Sequence, residues 1–501
     1  MGTPPLAHAT GTTKRTLGRL ALGLLAAVGW GTPAWGVELS LDEALAHVGH
    51  NRAARTVARQ EAVAAADLGV ARASFDPTLA ASTQLSGVDS AGFVAGFPTE
   101  ASSVSSSSSL SVGATTSTGT SWEVGADLGY DNMTTLATLG GQASEQVQSN
   151  WTGLVDLTVS QDLLAPFRRS DAGMAARQAG ERLTRAELAS EQAQQDALVA
   201  IAEAWWSWAS AVRLAETAER ALGEAQRLEA QTKARFAEGD VAMLEVSRTT
   251  AERLAAEQEQ STTRADARAA ADQLLLAMGE SPGQAIEPGG DGAVAGGETD
   301  LERSLARALQ ANPEVAIARA DVASAEQALQ DARRSGLPEL TASGSVGMAS
   351  LSSDALGALG DLATDDGLPR WAVGLDLSVP LGGRAARSQR AGAEAERDIA
   401  ELALTSAEDE LRASVRAAVD AVDTSRRSVQ LAVVQVDVAR QTEAGEQARV
   451  DEGESRLDDL IAARNDRLDA EAALVSAESE RARAELQLLR LEGRLGGSDG
   501  V

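Results

Sequence analysis

Carboxylates are the residues whose spacing most suggests chemistry. They gather around two glycines: RFAEGDVAMLEV holds Glu238, Gly239, Asp240 and Glu245, and RVDEGESRLDDL holds Asp451, Glu452, Gly453, Glu454, Asp458 and Asp459. If several copies of the chain converge at these points, the acids become stacked carboxylate rings, which favour cations in a pore and can bind divalent ions. The simpler alternative is a solvated acidic turn, because an acid near a helix N-terminus is stabilised by the helix dipole in any case.

Other chemistry has little to draw on. The chain has no cysteine, and apart from His8 its only imidazoles are His47 and His50. A Ser–His nucleophile would have to use one of those two. As a metal pair, spaced by three on the first helix, they lack evident further ligands nearby in sequence. The Gly-rich run PGGDGAVAGG lies in a Pro/Gly-dense connector and does not follow a strand, so it is no phosphate cradle. The sequence therefore predicts no catalytic, cofactor or metal site, and no enzyme.

The elements that position the two acidic points are long helices. Each point interrupts an Ala-, Leu-, Glu- and Arg-rich run, from about Asp171 to Glu238 and from Arg384 to Glu452. Roughly 68 residues at 1.5 Å each give on the order of 100 Å. Leu411, Val415, Val419, Val422, Val429, Val433 and Val436 make one apolar stripe. Ile461, Leu468, Val475, Ala482 and Leu489 recur every seven residues, the period of coiled-coil packing.

The chain is also written twice. At one common offset Asn51 falls on Asn312 and Pro77 on Pro338, and VDLTVS (155–160) resembles LDLSVP (375–380). Each half reads helix, strands, long helix, tip, helix. The expected boundaries are a signal peptide at 1–36, a first repeat at 37–280 with strands within about 78–165, a linker at 281–299, a second repeat at 300–496 with strands within about 339–381, and a tail at 497–501.

The leader reading rests on Lys14, Arg15 and Arg19 ahead of LALGLLAAVGW (20–30), an apolar run too short to span a bilayer, with small residues at Ala34 and Gly36. With no cysteine there is no N-terminal lipid anchor. No later stretch is long and apolar enough for a spanning helix, so membrane crossing would fall to β-strands. Segments such as LAASTQLSG, SWEVGADLGY, GLVDLTVSQ and WAVGLDLSVP alternate apolar and polar residues, and Ser102–Ser109 (SSVSSSSS) and 352–367 read as loops between them. Trp122, Tyr130, Trp151 and Trp371 sit in or beside these strands, as an interfacial aromatic girdle would. Ordinary strand aromatics are the plainer alternative. One chain offers four to six strands, too few to close a barrel, and open edges cannot face lipid. The barrel must be shared between subunits. The net charge of -29 argues against nucleic acid as a partner.

With its duplicated plan, strand-to-helix passages and Gly-centred tips, the chain resembles the TolC-like outer-membrane factor family from about Leu39 to Leu495. The resemblance implies a mainly α protein with a membrane β-barrel. Three subunits would form a barrel of twelve strands or more, continued by a long periplasmic α-helical barrel. It implies a passive outer-membrane duct of a tripartite efflux or type I secretion system, docked to a periplasmic adaptor (membrane fusion) protein and an inner-membrane transporter. Family members carry an acid six residues after the tip glycine, where it rings the closed entrance. Glu245 and Asp459 hold that place here, whereas Val450 and Ser455 depart from the family's latch residues. A stretch near Ser106–Asp131 is extra and has room for a further hairpin. The competing reading is an exported coiled-coil surface stalk or adhesin without a channel.

Overall fold

The computed structural model describes residues 37–94, 97–139, 142–164, 171–290, 300–364, 367–452 and 454–495. The leader (1–36), the end of the linker, Gly453 and the tail lie outside them.

The first repeat runs β1 (Val37–Leu39), α1 (Leu41–Ala46), a 3-10 turn (His47–His50), α2 (Arg52–Ala73), four strands β2 (Thr78–Val94), β3 (Phe97–Thr115), β4 (Thr120–Leu139) and β5 (Gln142–Asp162), then α3 (Asp171–Glu238) and α4 (Met243–Met278). After β6 (Ile286–Pro288) the second runs α5 (Leu301–Ala311), α6 (Pro313–Arg334), β7 (Glu339–Ser352), α7 (Ala355–Ala363), β8 (Leu368–Ser378), α8 (Arg384–Asp451) and α9 (Leu457–Leu491). The duplication is metrical: α3 and α8 both have 68 residues, and α2 and α6 both have 22.

Each 68-residue helix needs a neighbour along its whole length, and neither shorter helix of its repeat suffices alone. The chain solves this by stacking two helices end to end beside each long one. The Asn51 side chain caps α2 by accepting from Ala54 N at 3.0 Å, while its Nδ2 donates to Ala277 O at the end of α4, 2.8 Å away. Gly279 then turns the chain with φ 83°, and a Cβ there would lie 2.1 Å from His50 O. Only glycine fits both the left-handed backbone and the close approach. The second repeat repeats the joint: Asn312 caps α6 and donates to Leu491 O at 3.4 Å, and Gly493 (φ 67°) would place a Cβ 2.7 Å from Ala311 O.

Apolar burial concentrates at these joints. Trp205, Trp206 and Trp208 of α3 pack with Leu39, Leu41, Leu274, Met278 and Leu486, and Trp205 Nε1 donates to Leu39 O at 3.1 Å. A second cluster joins Val315 to Leu411, Val415, Val419, Val422 and Leu488. The expected α8 stripe holds through Val422 and reappears at Val436. Between them Val433 is 43 % exposed and Ala432 is buried instead, the drift of a 3.6-residue helix against a seven-residue repeat.

The six long strands form one antiparallel sheet, β2-β3-β4-β5-β7-β8. Four come from the first repeat and two from the second. The extra stretch supplies the hairpin between β3 and β4, turned at Gly119 (φ 81°). The run 102–109, which reads as a loop, is instead the middle of β3. Its serines pair across the ladder, Ser82 with Ser109 and Ser86 with Ser105, each at 2.7 Å between hydroxyls. The 352–367 loop contains the apolar helix α7.

The register gives the sheet two unlike faces. Trp122, Val124, Ala126, Leu128 and Tyr130 share a face with Trp151, Val155, Leu157 and Val159 through the pairs Trp122–Val159 and Tyr130–Trp151. The pairs Leu157–Val346 and Val346–Trp371 add Trp371, Val373, Leu375 and Leu377 to that face. Glu123, Asp127, Asp131, Asp156, Thr158, Ser160 and Asp376 occupy the other. Helix α7 lies on the apolar face, with Ala358 O accepting from Ser350 Oγ at 2.6 Å, over Gly153.

Trp205→Ala removes a fully buried ring and its hydrogen bond to β1, a strand otherwise paired with β6. We expect a loss of about 3–5 kcal/mol, seen as a lower unfolding midpoint in circular dichroism and earlier proteolysis of the N-terminal segment. An unchanged midpoint would mean that the tryptophan cluster is not the anchor of the joint.

Candidate functional site at the helical tips

Both acidic points lie at helix-to-helix turns. The first turn is made by Gly239 (φ 90°) between α3 and α4, with Glu238 and Asp240 exposed. At the second, Asp451, Glu452 and Glu454 are exposed around Gly453, which lies outside the described residues.

Glu245 and Asp459 are not equivalent. The N-cap of α4 is Ala242, which has no side-chain hydrogen bond to give, and Glu245 sits half-buried in the first turn. Asp459 caps its own helix, its Oδ2 accepting from Arg456 N at 3.3 Å and from Ser455 Oγ at 3.2 Å. Ser455 Oγ is also 2.7 Å from Glu446 Oε2. This is the local role that a carboxylate at a helix start takes by default.

The tertiary fold then adds partners that the sequence did not reveal. Arg248 of α4 pairs with Asp458 of α9, which sets the first turns of the two hairpins side by side. About two and a half turns further along α9, Arg467 is 11 % exposed and binds three acids: Glu224 of α3 at 2.8 Å, Glu443 of α8, and Glu471 at 3.1 Å. Arg440 adds a 3.0 Å contact to Glu471, and Arg464 one of 3.2 Å to Glu443. Burial alone would raise the Glu471 carboxyl. The hydrogen bonds and charge of Arg440 and Arg467 outweigh it and hold that carboxyl below the usual range. Glu229 is lowered too, first by its hydrogen bond from Lys233 and then by that from Thr250. These ion pairs bridge α3, α8 and α9 just above the tips.

The four aromatics share the apolar face of the sheet. Tyr130 and Trp151 pack with their rings tilted by 42° and 4.8 Å between centroids, while Trp371 on the edge strand is 79 % exposed. Trp122 lies eight residues before Tyr130 on β4, about 27 Å along an extended strand.

His47 and His50 occupy the 3-10 turn between α1 and α2, and the fold brings Glu280 to them. No spacing in the sequence connects these three residues. Among the described residues no helix is long and apolar enough to cross a membrane.

Residues 305–494 match the family model described as outer membrane efflux protein. No curated protein sequence matches the chain. Among solved structures the fold is similar to that of a membrane protein from Pseudomonas aeruginosa, at 19 % identity over 93 % of each chain with a TM-score of 0.65. It is similar to the outer membrane protein VceC from Vibrio cholerae, at 17 % identity over 90 % of this chain and 96 % of that one, with a TM-score of 0.64. It is also similar to the Campylobacter jejuni CmeC outer membrane channel, at 15 % identity over 91 % and 85 % of the two chains, with a TM-score of 0.62. The second repeat thus carries the match to the outer membrane efflux protein model, and the chain as a whole has the fold of these outer-membrane channels.

The arginine cluster predicts a pH signature. A Glu471 carboxyl lowered by folding contributes stability that is fully present above the unfolded value of about 4.3 and is lost as pH falls through the lower folded value. The melting midpoint should drop below about pH 4, and Glu471→Gln should start lower at pH 7 yet drop less across the same window. Parallel pH curves for the two proteins would show that this cluster does not carry the acid sensitivity. Arg467→Met, which leaves three carboxylates without their shared cation, should cost about 3–5 kcal/mol.

Proposed function

We propose that the chain is the outer-membrane channel component of a tripartite efflux or type I secretion system, working as a passive homotrimeric duct. The observation that carries this reading is the six-stranded sheet with one apolar and one polar face and two unpaired edges. A sheet of this kind is stable in lipid only when closed. β2 runs away from the helices and β8 runs back, so β8 of one chain can pair antiparallel with β2 of the next. Six strands from each of three chains make eighteen, a size at which barrels enclose an aqueous channel. The apolar face, with its aromatics, meets lipid; the Asp-, Glu-, Ser- and Thr-bearing face lines water. Tilt of 35–45° reduces the Trp122–Tyr130 span to about 20 Å along the membrane normal, close to the height of an outer-membrane apolar band.

The helices continue the duct by about 100 Å into the periplasm, where the tips meet a periplasmic adaptor protein and an inner-membrane transporter that supplies the energy. Glu245 and Asp459 ring the entrance. The half-buried Glu245, with no capping duty in view, is the stronger cation ligand of the two, since Asp459 shares its carboxylate with the start of α9. A surface stalk has no use for a two-faced sheet.

The test is single-channel recording in planar bilayers, together with the native mass of the purified oligomer. Cation-selective current blocked by millimolar divalent ions, with the block weakened in Glu245→Ala/Asp459→Ala and weakened more by the first change than the second, is the expected result. Unselective current without block would retain the duct and remove the rings. A monomer that neither inserts nor conducts would overturn the reading in favour of the stalk.

A further inference from the structure

We propose that His47, His50 and Glu280 form a divalent-metal site, of the zinc class, that pins the joint between α2 and α4. In a 3-10 turn side chains three apart eclipse, so His47 and His50 project from the same side, with ring centroids 5.6 Å apart. Glu280 comes from the other side of the joint, held there by Gly279 against His50 O and by Asn51 on Ala277 O. One ligand atom from each of the three residues lies within 4.8 Å of the others.

Two further features point to an ion. His47 Nδ1 is enclosed and has no hydrogen-bond partner, although it faces Glu280 Oε1 at 3.7 Å. With the His47 proton on Nε2, Nδ1 and the carboxylate oxygen are two acceptors facing each other, an arrangement that a cation between them satisfies. Tetrahedral zinc with bonds of about 2.0–2.2 Å holds adjacent ligands about 3.3–3.6 Å apart, so the His47–Glu280 pair needs only a small closure. The end of α4, with its partial negative charge, also favours a cation at this place. Two imidazoles and a carboxylate suit zinc and its neighbours better than calcium or magnesium.

The second repeat supplies a control built into the molecule. Counted from the capping asparagine and the turning glycine, the matching positions hold Ala308, Ala311 and Arg494. That joint keeps the same asparagine bond and the same glycine contact without any of the three ligands. His47, His50 and Glu280 are therefore not required to build the joint, and they are available for binding.

The experiment is calorimetric titration of zinc chloride into the chelator-stripped, full oligomer in detergent, alongside thermal melts with and without zinc. We expect one zinc per chain at micromolar affinity or tighter, and a zinc-dependent rise in the melting midpoint. His47→Ala/His50→Ala installs the alanines of the second repeat, so it should assemble normally while losing at least ~10-fold in affinity together with the midpoint rise. Glu280→Gln, which leaves both histidines in place, should show the same loss and serves if the double variant fails to assemble. Absence of saturable binding, or binding retained in the histidine and glutamate variants, would overturn the site.

Discussion

The structure depends on a close contact between two helix ends that are far apart in sequence. A 68-residue helix in water needs a partner over its whole length, and the chain supplies it in two pieces, α4 with α2 and α9 with α6. The pieces can abut only where a glycine backbone accepts a carbonyl at a distance no side chain would allow, at Gly279 against His50 and at Gly493 against Ala311. An asparagine at each joint performs two tasks, capping the helix that begins and binding a carbonyl of the helix that ends. The tryptophans of α3 and the valines of α8 then bury the apolar surface that accumulates there. Long small-residue helices carry few large side chains, so this apolar burial is local, and the joints fix how the rest of each helix pair is aligned.

That alignment decides how strands meet helices. α2 ends at Ala73 and β2 begins at Thr78, α6 ends at Arg334 and β7 begins at Glu339, with Pro77 and Pro338 just ahead of the two strands. Each passage converts a 3.6-residue period into a period of two within a few residues. Once the first pair of strands is in register, alternation carries the apolar face through all six, because a slip of one residue would move Trp122, Val124 and Leu128 to the polar side. Among the described residues, the sheet edges β2 and β8 are left open by a single chain.

Much of this was legible in the sequence for physical reasons. The limits of α3 fall where periodicity put them, and α8 ends one residue earlier, because long amphipathic runs broken by a glycine leave few alternatives. The asparagine pair marked the start of the helices that β2 and β7 follow. Other features were not legible. Ser102–Ser109 reads as a loop on propensity, yet the neighbouring ladders satisfy its backbone and its hydroxyls pair across strands. The Arg248–Asp458 and Arg467–Glu224 pairs join residues more than two hundred positions apart. Glu280 is as remote from His47, and the proximity is created by the Gly279 joint, which itself has no sequence periodicity to announce it.

The ion pairs near the tips have a consequence for how an entrance built from these helices would open. Arg248–Asp458 is exposed on both sides, and a pair of that kind is worth at most about 1 kcal/mol. Arg467 is enclosed, and separating it from its acids leaves buried charges uncompensated at a cost of about 3–5 kcal/mol. The two hairpins of one chain are therefore tied loosely at their ends and firmly a few turns above. Under the proposed reading the least costly widening keeps each chain's α3, α8 and α9 together at the Arg467 level. It lets the last turns splay or moves whole chains apart, so the contacts that resist opening lie chiefly between subunits and at the exposed tips.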